Sequence, residues 1–567
     1  RFSREMEFCT GGLRGVMAAG TNRMNTYTVA RATQGLARYI RRTADQKCRR
    51  PAVVIAYDSR HHSRDFARTT AEVLAANGIR VYLFRQLRPT PLLSFAVRHF
   101  GATAGVVITS SHNPKQYNGY KVYWDDGAQI VPPHDDGIIA EVKKIRSMRQ
   151  IRRMEFDRAL AEGLVEMVGA EVDRVYLRAI RPLSLHPETI RRLADDFEIV
   201  YTPLHGAGGT MVAKALRSWG FRRVTVVPSQ ARPDGNFPTV RLPNPEDPAA
   251  LAEAVALAKR LDAPLVMASD ADCDRLGIAV RVGRGRYRML TGNQLAVLFA
   301  YYLCHEMTSL GKMPENPLMV TTIVTTDLIE RIGEHYGVAV EETLTGFKWI
   351  CEKIRLNEER RARGKPWRSF IYGSEESYGY LIGSAARDKD AVVAACVCAE
   401  MAARAHARGK TLVTMLDEVE MCHGAFLERQ ESIYHEGVEG AAIIKRMMNS
   451  LRQEPPRRIG GNVVKVVGDV RRGCWEALKD GKGRRRRLGS IDLPRSDVLI
   501  FRLADGGKVV ARPSGTEPKI KFYFNLCERR GAPFASRTQL KQSRRTLAER
   551  MKRIQASFVR AAKARVK

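Results

Sequence analysis

The chain has 567 residues, 44% hydrophobic and 27% charged, with no long low-complexity tract, which excludes a fibrous or disordered protein and leaves room for roughly three to five domains. Lys and Arg number 94 against 61 acids, a net charge of +33 that would attract phosphorylated small molecules, nucleic acid or anionic membranes. No window approaches the roughly eighteen uninterrupted apolar residues of a membrane span, so no membrane association is expected.

The chain opens on Arg1, not Met, so its natural start is expected upstream and the lack of a leader carries little weight. Ten scattered cysteines, none in a zinc-spaced pair, read as core thiols of a reducing compartment, and the expected location is cytoplasmic.

In chain order, Gly11-Gly12-Leu13-Arg14-Gly15 is a Gly-rich turn carrying an Arg. Pro51–Tyr57 reads as a buried strand, Ser63–Asn77 as a helix stopped by Gly78, and Ile79–Phe84 as the next strand. The order recurs at Glu198–Tyr201, Thr210–Trp219, Gly220 and Val224–Val227. It recurs again at Leu318–Thr322, Thr326–Tyr336, Gly337 and Val338–Val340. In each copy the Gly supplies the left-handed residue that turns the chain back into a sheet. Three such units imply three α/β domains with mostly parallel sheets, whose ligands lie beyond the carboxyl ends of the strands.

After about Leu416 the pattern changes to isolated strands (Val463–Val467, Val498–Phe501, Val509–Ala511, Lys519–Phe524) and a basic helix from Ser536, a smaller α+β domain. The expected domains are therefore 1–160, 161–288, 289–415 and 416–567. Glu141–Asp157 reads as an exposed helix closing the first. Gly283–Tyr287 and Thr291-Gly292-Asn293 read as punctuation between the second and third. The basic run Lys482–Arg487 reads as a solvated loop in preference to a nuclear-targeting patch.

Four stretches carry chemistry. Ala104–Ile108 reads as a buried strand ending in Thr109-Ser110-Ser111-His112-Asn113-Pro114, with Asn118-Gly119 a turn into the strand Tyr120–Trp124. Ser111, at a sheet edge, suits a phosphate carrier or nucleophile, or an ordinary turn serine. Asp270-Ala271-Asp272-Cys273-Asp274-Arg275 follows the strand Pro264–Ala268, and three alternate carboxylates in an extended loop can face one hard cation. Arg275 and Arg281 stand where a calcium-binding EF-hand needs Gly and Glu, which argues against that use.

Tyr372–Tyr380 is a polar loop whose paired acids could bond sugar hydroxyls or serve as acid and base, with a plain solvated turn the slightly preferred reading of the stretch alone. Ala511–Pro518 joins two strands, with an Arg fork and turn N–H groups suited to phosphate; a plain hairpin is an equal reading. Thr345-Gly346-Phe347-Lys348 adds a loop where a sheet switch point is expected.

Taken together, T-S-S-H-N-P…N-G-Y-K, D-A-D-C-D-R, S-E-E-S-Y-G and R-P-S-G-T-E-P resemble, in that order, the four active-site loops of the α-D-phosphohexomutases. F-C-T-G-G-L-R, P-D-G-N-F-P-T-V…P-N-P-E and E-T-L-T-G-F-K-W-I are most similar to the phosphoglucomutase/phosphopentomutase branch, which also holds a glucose 1,6-bisphosphate synthase.

The resemblance implies three similar, mostly parallel α/β domains and a smaller α+β C-terminal domain around a central cleft. It implies interconversion of glucose 1-phosphate and glucose 6-phosphate through a phosphoserine enzyme and a glucose 1,6-bisphosphate intermediate and activator, with pentose phosphates as possible further substrates. Ser111 would be the phosphoserine, with Asp270, Asp272 and Asp274 holding Mg²⁺ beside it. Lys121 would be the general base and His112 would flank the phosphate. Glu375 and Ser377 would grip sugar hydroxyls, while Thr345, Asp274, Arg275 and Lys389 line the substrate site. Arg512, Ser514, Gly515 and Thr516 would hold the phosphate that is not reacting, and Arg14 would support the serine loop.

Ser110 and Ser374, where the family more usually has Ala and Gly, and Cys9 and Gly11 in the first turn, are departures. Alternatives are a phosphopentomutase, the bisphosphate synthase, an inactive scaffold relative and a nucleic-acid binder. The expected partners are sugar phosphates, with neither nucleic acid nor membrane, and the expected state is a monomer or weak dimer.

Overall fold

Near-continuous apolar runs must be covered from both faces. Val53–Ala56 and Val106–Ile108 are fully buried accordingly, at the centre of a six-stranded sheet. The structure, a computed structural model, describes residue 6 and residues 12–44, 50–435, 438–478, 485–514 and 519–566. The chain forms two compact units, Arg1–Thr321 with Gly346–Val413, and Thr322–Thr345 with Thr414–Lys567.

In the first unit, β1 (Leu13–Val16), β2 (Ala52–Tyr57), β3 (Arg80–Phe84), β4 (Ala104–Ile108), β5 (Tyr117–Trp124) and β6 (Val165–Val168) lie in the order β1-β5-β4-β2-β3-β6. The pairs among β4, β2, β3 and β6 are parallel, and β5 is antiparallel to β4 and β1. β7 (Ile199–Thr202), β8 (Val224–Val226), β9 (Leu265–Ser269), β10 (Leu276–Gly283) and β11 (Arg286–Met289) form a second sheet, β11-β10-β9-β7-β8, again parallel at β9-β7-β8. Next along the chain come β12 (Pro317–Thr322), β13 (Ala339–Thr343), β14 (Ser369–Glu375) and β15 (Gly379–Ile382); β12 is parallel to β14, and β14 antiparallel to β15. The three helix-ending glycines have positive φ: 71° at Gly78, 114° at Gly220 and 68° at Gly337.

The second unit holds β13 and a mostly antiparallel sheet: β16 (Ala425–Tyr434), β17 (Arg458–Ile459), β18 (Asn462–Asp469), β19 (Cys474–Leu478), β20 (Arg485–Ser490), β21 (Leu499–Leu503), β22 (Lys508–Pro513) and β23 (Lys519–Glu528). Two helices, Val438–Gln453 and Arg537–Ala564, bury Met447, Leu451, Leu547 and Phe558 with Phe501, Phe522 and Phe524 of the sheet. Three α/β domains and a smaller α+β domain are therefore the architecture. Among the described residues no helix is long and apolar enough to cross a membrane.

Several local expectations are corrected. Asn118 and Gly119 lie inside β5, opposite Gly15 and Arg14 of β1. Gly119 is needed for close approach, since a Cβ there would meet Thr109 O at 2.4 Å and Leu13 O at 2.7 Å. Arg14 accordingly sits on a strand, while Cys9 and Gly11 lie outside the described residues. Glu141–Asp157 is not one helix. A helix ends at Lys143, and a second starts at Phe156 where Glu155 accepts from the Asp157 and Arg158 N–H groups. Thr291-Gly292-Asn293 is a helix start, because Thr291 and Gln294 exchange side-chain-to-backbone bonds at 3.2 and 3.1 Å in a capping box. The aspartate segment is a tight turn between the antiparallel β9 and β10, with Cys273 at φ 56°. Tyr372–Tyr380 is a hairpin, with Glu375 still on its strand. Of the basic run, residues 482–484 lie outside the described residues, whereas Arg485–Arg487 open the edge strand β20 (Arg485–Ser490).

Candidate active site

Beyond the carboxyl end of β4 the chain turns through Ser111, which is buried at φ 51°. Thr109 Oγ1 accepts the Ser111 N–H at 2.9 Å and donates to Asp58 Oδ2 at 2.7 Å. Asp58 also accepts from the Ser63 hydroxyl and the Arg60 N–H. The buried Arg60 guanidinium donates to four backbone carbonyls of this one turn: Ser111 and Asn113 at 2.5 Å, Pro114 at 2.8 Å and Tyr117 at 3.1 Å. The Phe237 ring covers it at 5.2 Å. Of the two adjacent hydroxyls, Ser110 Oγ accepts from the Asn113 amide at 3.3 Å. Ser111 Oγ donates to Asp270 Oδ2 at 2.5 Å and lies 3.2 Å from His112 Nδ1.

The aspartate turn is buried. Asp270 Oδ1 accepts the N–H groups of Asp274 and Arg275, which folds the turn back on itself. One carboxylate oxygen from each of Asp270, Asp272 and Asp274 lies within 4.8 Å of the others. Asp272 Oδ1 and Asp274 Oδ1 are buried without a hydrogen-bond partner. A buried carboxylate oxygen left so is costly, and an all-oxygen cluster of three acids fits a hard dication such as Mg²⁺. Burial, with Asp274 and Asp272 adding to it, pushes the Asp270 carboxyl well up. Burial acts the same way on Asp274, but Lys389, Lys121 and Arg275 outweigh it and hold that carboxyl far down.

Lys121 Nζ, projecting from β5, lies 2.8 Å from Asp272 Oδ2 and 3.3 Å from Asp274 Oδ2. Burial opposes its charge, yet those two carboxylates raise its pKa, so it is protonated in this arrangement. Lys389 Nζ is 3.3 Å from Asp274 and 3.1 Å from Asp388. Arg275 bonds Glu246 at 2.6 Å. Burial, with Arg275 and Arg14 nearby, pushes the His112 imidazole well down, so it is neutral. The charge of Arg14 interacts with Asp272, Arg275 and Asp274, while the serine turn's carbonyls are held by Arg60. Glu375 Oε1 accepts the Gly346 N–H at 2.7 Å, and its charge interacts with Lys389 and Arg275.

Ser111, His112, Lys121, the three aspartates, Arg275 and Lys389 thus converge through direct contacts or one shared partner. Ser377 lies in the β14–β15 hairpin turn, half-buried. Thr345, Arg512 and Ser514 belong to the second unit, and Gly515 and Thr516 lie outside the described residues. Sequence reasoning missed Arg60, Asp58, Thr90 and Glu246. Thr90 donates from its hydroxyl to Asp272 Oδ2 at 3.1 Å. Asp58-Ser59-Arg60 follows β2 at its carboxyl end, the place where ligand loops are expected, and that position was the available signal.

Three family models match the chain: phosphoglucomutase/phosphomannomutase alpha/beta/alpha domain I over residues 5–149, domain II over 174–283 and domain III over 291–421. The chain is 35% identical over 530 residues to the phosphoglucomutase of Staphylococcus aureus (strain MRSA252), covering 93% of this chain and 90% of that one. It is 35% identical over 522 residues to the phosphoglucomutase of Staphylococcus epidermidis (strain ATCC 12228), covering 92% and 90%. Two solved structures share the fold. Parafusin (pp63) from Paramecium, in its open form, matches with a TM-score of 0.66 at 17% identity, covering 98% of this chain and 96% of that one. A phosphoglucomutase/phosphomannomutase family protein from Burkholderia thailandensis matches with a TM-score of 0.62 at 18% identity, covering 98% and 96%.

Proposed function

We propose a function from one premise: this chain belongs to the phosphoglucomutase/phosphomannomutase family. It is an intramolecular phosphotransferase that interconverts glucose 1-phosphate and glucose 6-phosphate by way of phospho-Ser111 and glucose 1,6-bisphosphate, with Mg²⁺ as its metal. The observation that carries this reading is the 2.5 Å bond from the Ser111 hydroxyl to a buried cluster of three aspartates that also grips Lys121. The staphylococcal relatives, named phosphoglucomutases, support a hexose in place of a pentose.

Phosphoryl transfer needs in-line positioning and neutralised charge more than covalent help from the protein. Asp270, Asp272 and Asp274 would hold Mg²⁺, which would supply positive charge for the phosphoryl oxygens. Ser111 forms and breaks the enzyme–phosphorus bond. Lys121, in the neutral form left after it gives its own proton to solvent, accepts the proton leaving the attacking sugar hydroxyl. His112, being neutral, flanks the phosphate without adding charge. Arg275 and Lys389 steady the anion, and Glu375 and Ser377 bond sugar hydroxyls; Thr345 is assigned to the substrate by the resemblance of its loop. Arg14 adds positive charge near the serine turn. Arg512, Ser514, Gly515 and Thr516 are assigned to the substrate's second phosphate by the resemblance of their loop.

The domains proposed are 1–160, 161–288, 289–415 and 416–567, with β6 (Val165–Val168) reaching back into the sheet of the first. The protein works as a cytoplasmic monomer or weak dimer on sugar phosphates and takes no nucleic acid. The eight described cysteines are all free thiols, which supports a reducing location.

Ser111→Ala tests the phosphoserine route. Turnover of glucose 1-phosphate should fall at least ~10³-fold, the scale of losing a covalent nucleophile, with the circular dichroism spectrum unchanged. Undiminished turnover would sink the phosphoserine route. Equal wild-type turnover of ribose 1-phosphate would remove the hexose assignment.

A further inference from the structure

The connection from the helix Phe347–Ala362 to β14 runs Arg360-Arg361-Ala362-Arg363-Gly364-Lys365-Pro366-Trp367-Arg368, five cations and a tryptophan with no acid. It frames an open cleft of about 590 Å³, lined by Asn316, Asn357, Arg360, Lys365, Trp367 and Arg368 together with Gly364 and Pro366. That volume falls within the ~300–1,000 Å³ of small-molecule sites. No carboxylate lines it. Arg360, Lys365 and Arg368 have no ion-pair partner among the described residues. Arg355, one turn earlier on the same helix, is instead held by Glu352 and Glu359.

The frame is fixed. The buried Asn357 accepts the Arg368 N–H at 2.9 Å and donates to Lys353 O at 2.9 Å, tying the helix end to the start of β14. Asn316 O accepts the Ser369 N–H at 2.8 Å from the other side. Trp367 is half-buried, and the Arg361 guanidinium covers one face of its ring at 4.3 Å. Trp367 lines the cleft and Arg361 does not, so the cation on the ring leaves it available to the cleft.

A flat apolar face beside three uncompensated cations matches a ligand that joins an aromatic ring to several phosphates. Inorganic phosphate or a sugar phosphate would use the cations and leave the ring face wet. We infer that this cleft binds a nucleoside polyphosphate, its base stacked on Trp367 and its phosphates on Arg360, Lys365 and Arg368. Nothing in the phosphosugar chemistry uses these residues.

The cleft is joined mechanically to the catalytic residues. β14 starts at Ser369 beside it and ends on Glu375. The helix Phe347–Ala362 ends at it and begins beside Gly346, whose N–H bonds Glu375. Both partners of that bond therefore sit on elements whose far ends build the cleft. A bound nucleotide then alters sugar-phosphate affinity, a consequence that rests on the proposed role of Glu375.

Calorimetric titration of the full chain with ADP, tripolyphosphate and adenosine, in saturating glucose 1,6-bisphosphate to fill the catalytic cleft, tests the site. ADP should bind with a Kd below ~1 mM. Trp367→Leu should weaken ADP about tenfold and leave tripolyphosphate unchanged, and Lys365→Ala should weaken both about tenfold. At fixed free Mg²⁺, ADP should move the KM for glucose 1-phosphate at least about twofold, and Trp367→Leu should abolish that shift at unchanged basal kcat. Absent ADP binding up to ~5 mM, or ADP affinity indifferent to Trp367→Leu, overturns the site. Binding with an unmoved KM overturns its effector role and leaves the phosphoserine reading untouched.

Discussion

Arg60 holds more of the backbone around Ser111, the proposed nucleophile, than any other described side chain. Its guanidinium holds four carbonyls of the Ser111 turn and is itself oriented by Asp58, 3.2 Å away. A lysine keeps the charge but cannot span that fork. Arg60→Lys should therefore lower kcat about 100-fold through misplacement of the hydroxyl, with KM moving far less, as steady-state kinetics would read. A variant in which KM rises and kcat holds would assign Arg60 to substrate binding instead. Ser111 and the aspartates were legible in the sequence because each group falls in one short run beyond a recognisable strand. Arg60 was not legible, since its partners are backbone carbonyls 51 to 57 positions away and carbonyls leave no mark on residue identity.

Among the elements, the helix Ala391–Ala407 places Lys389 and carries its own pH sensor. Asp390 caps it, accepting the Val392 and Val393 N–H groups at 3.0 Å and the Tyr176 hydroxyl at 2.7 Å. Burial pushes its carboxyl up to about 6. A carboxyl raised on folding is proton-bound more tightly in the native state. Its stabilising contribution is whole below the unfolded value of about 3.9 and is lost as pH rises through about 6. Asn caps as well as Asp but does not titrate. Between pH 4.5 and 7 the wild type should lose about 2 kcal/mol relative to Asp390→Asn, measured by urea unfolding at the two values. A pH-independent difference would show that Asp390 stays ionised throughout. The parallel strands were legible because a strand buried on both faces is apolar at every position, as in Val53–Ala56. β16 was missed because Glu428, Arg429 and Glu431 interrupt it, although it pairs with β23 over its full length. β20 hid its strand character behind consecutive arginines, which on an edge strand deter pairing with another molecule.

For the whole molecule, the positive charge is weighted to one end. After Val413 there are 34 Lys and Arg against 17 acids, about half of the net +33 in roughly a quarter of the length. Dianionic substrates approach such a molecule with electrostatic help that salt screens over ~10 Å at 0.1 M. The kcat/KM for glucose 1-phosphate should fall several-fold between ~0.02 and ~0.2 M salt while kcat changes little, as stopped-time assays would reveal. A flat salt profile would mean that the charge serves something other than substrate capture.

The sequence of domains and the grouping of folded mass do not coincide. Thr322–Thr345 is packed with the C-terminal sheet, where Lys508 bonds Asp327 at 2.6 Å and Glu342 at 3.0 Å, and Asn525 bonds the carbonyls of Val324 and Thr325. The polypeptide therefore passes from one mass to the other three times, not once. Scissors applied near residue 415 would strand a helix and a strand away from the lysine they were built around, so neither half would be expected to survive on its own. Any gene fusion or split-protein design on this scaffold should be cut elsewhere.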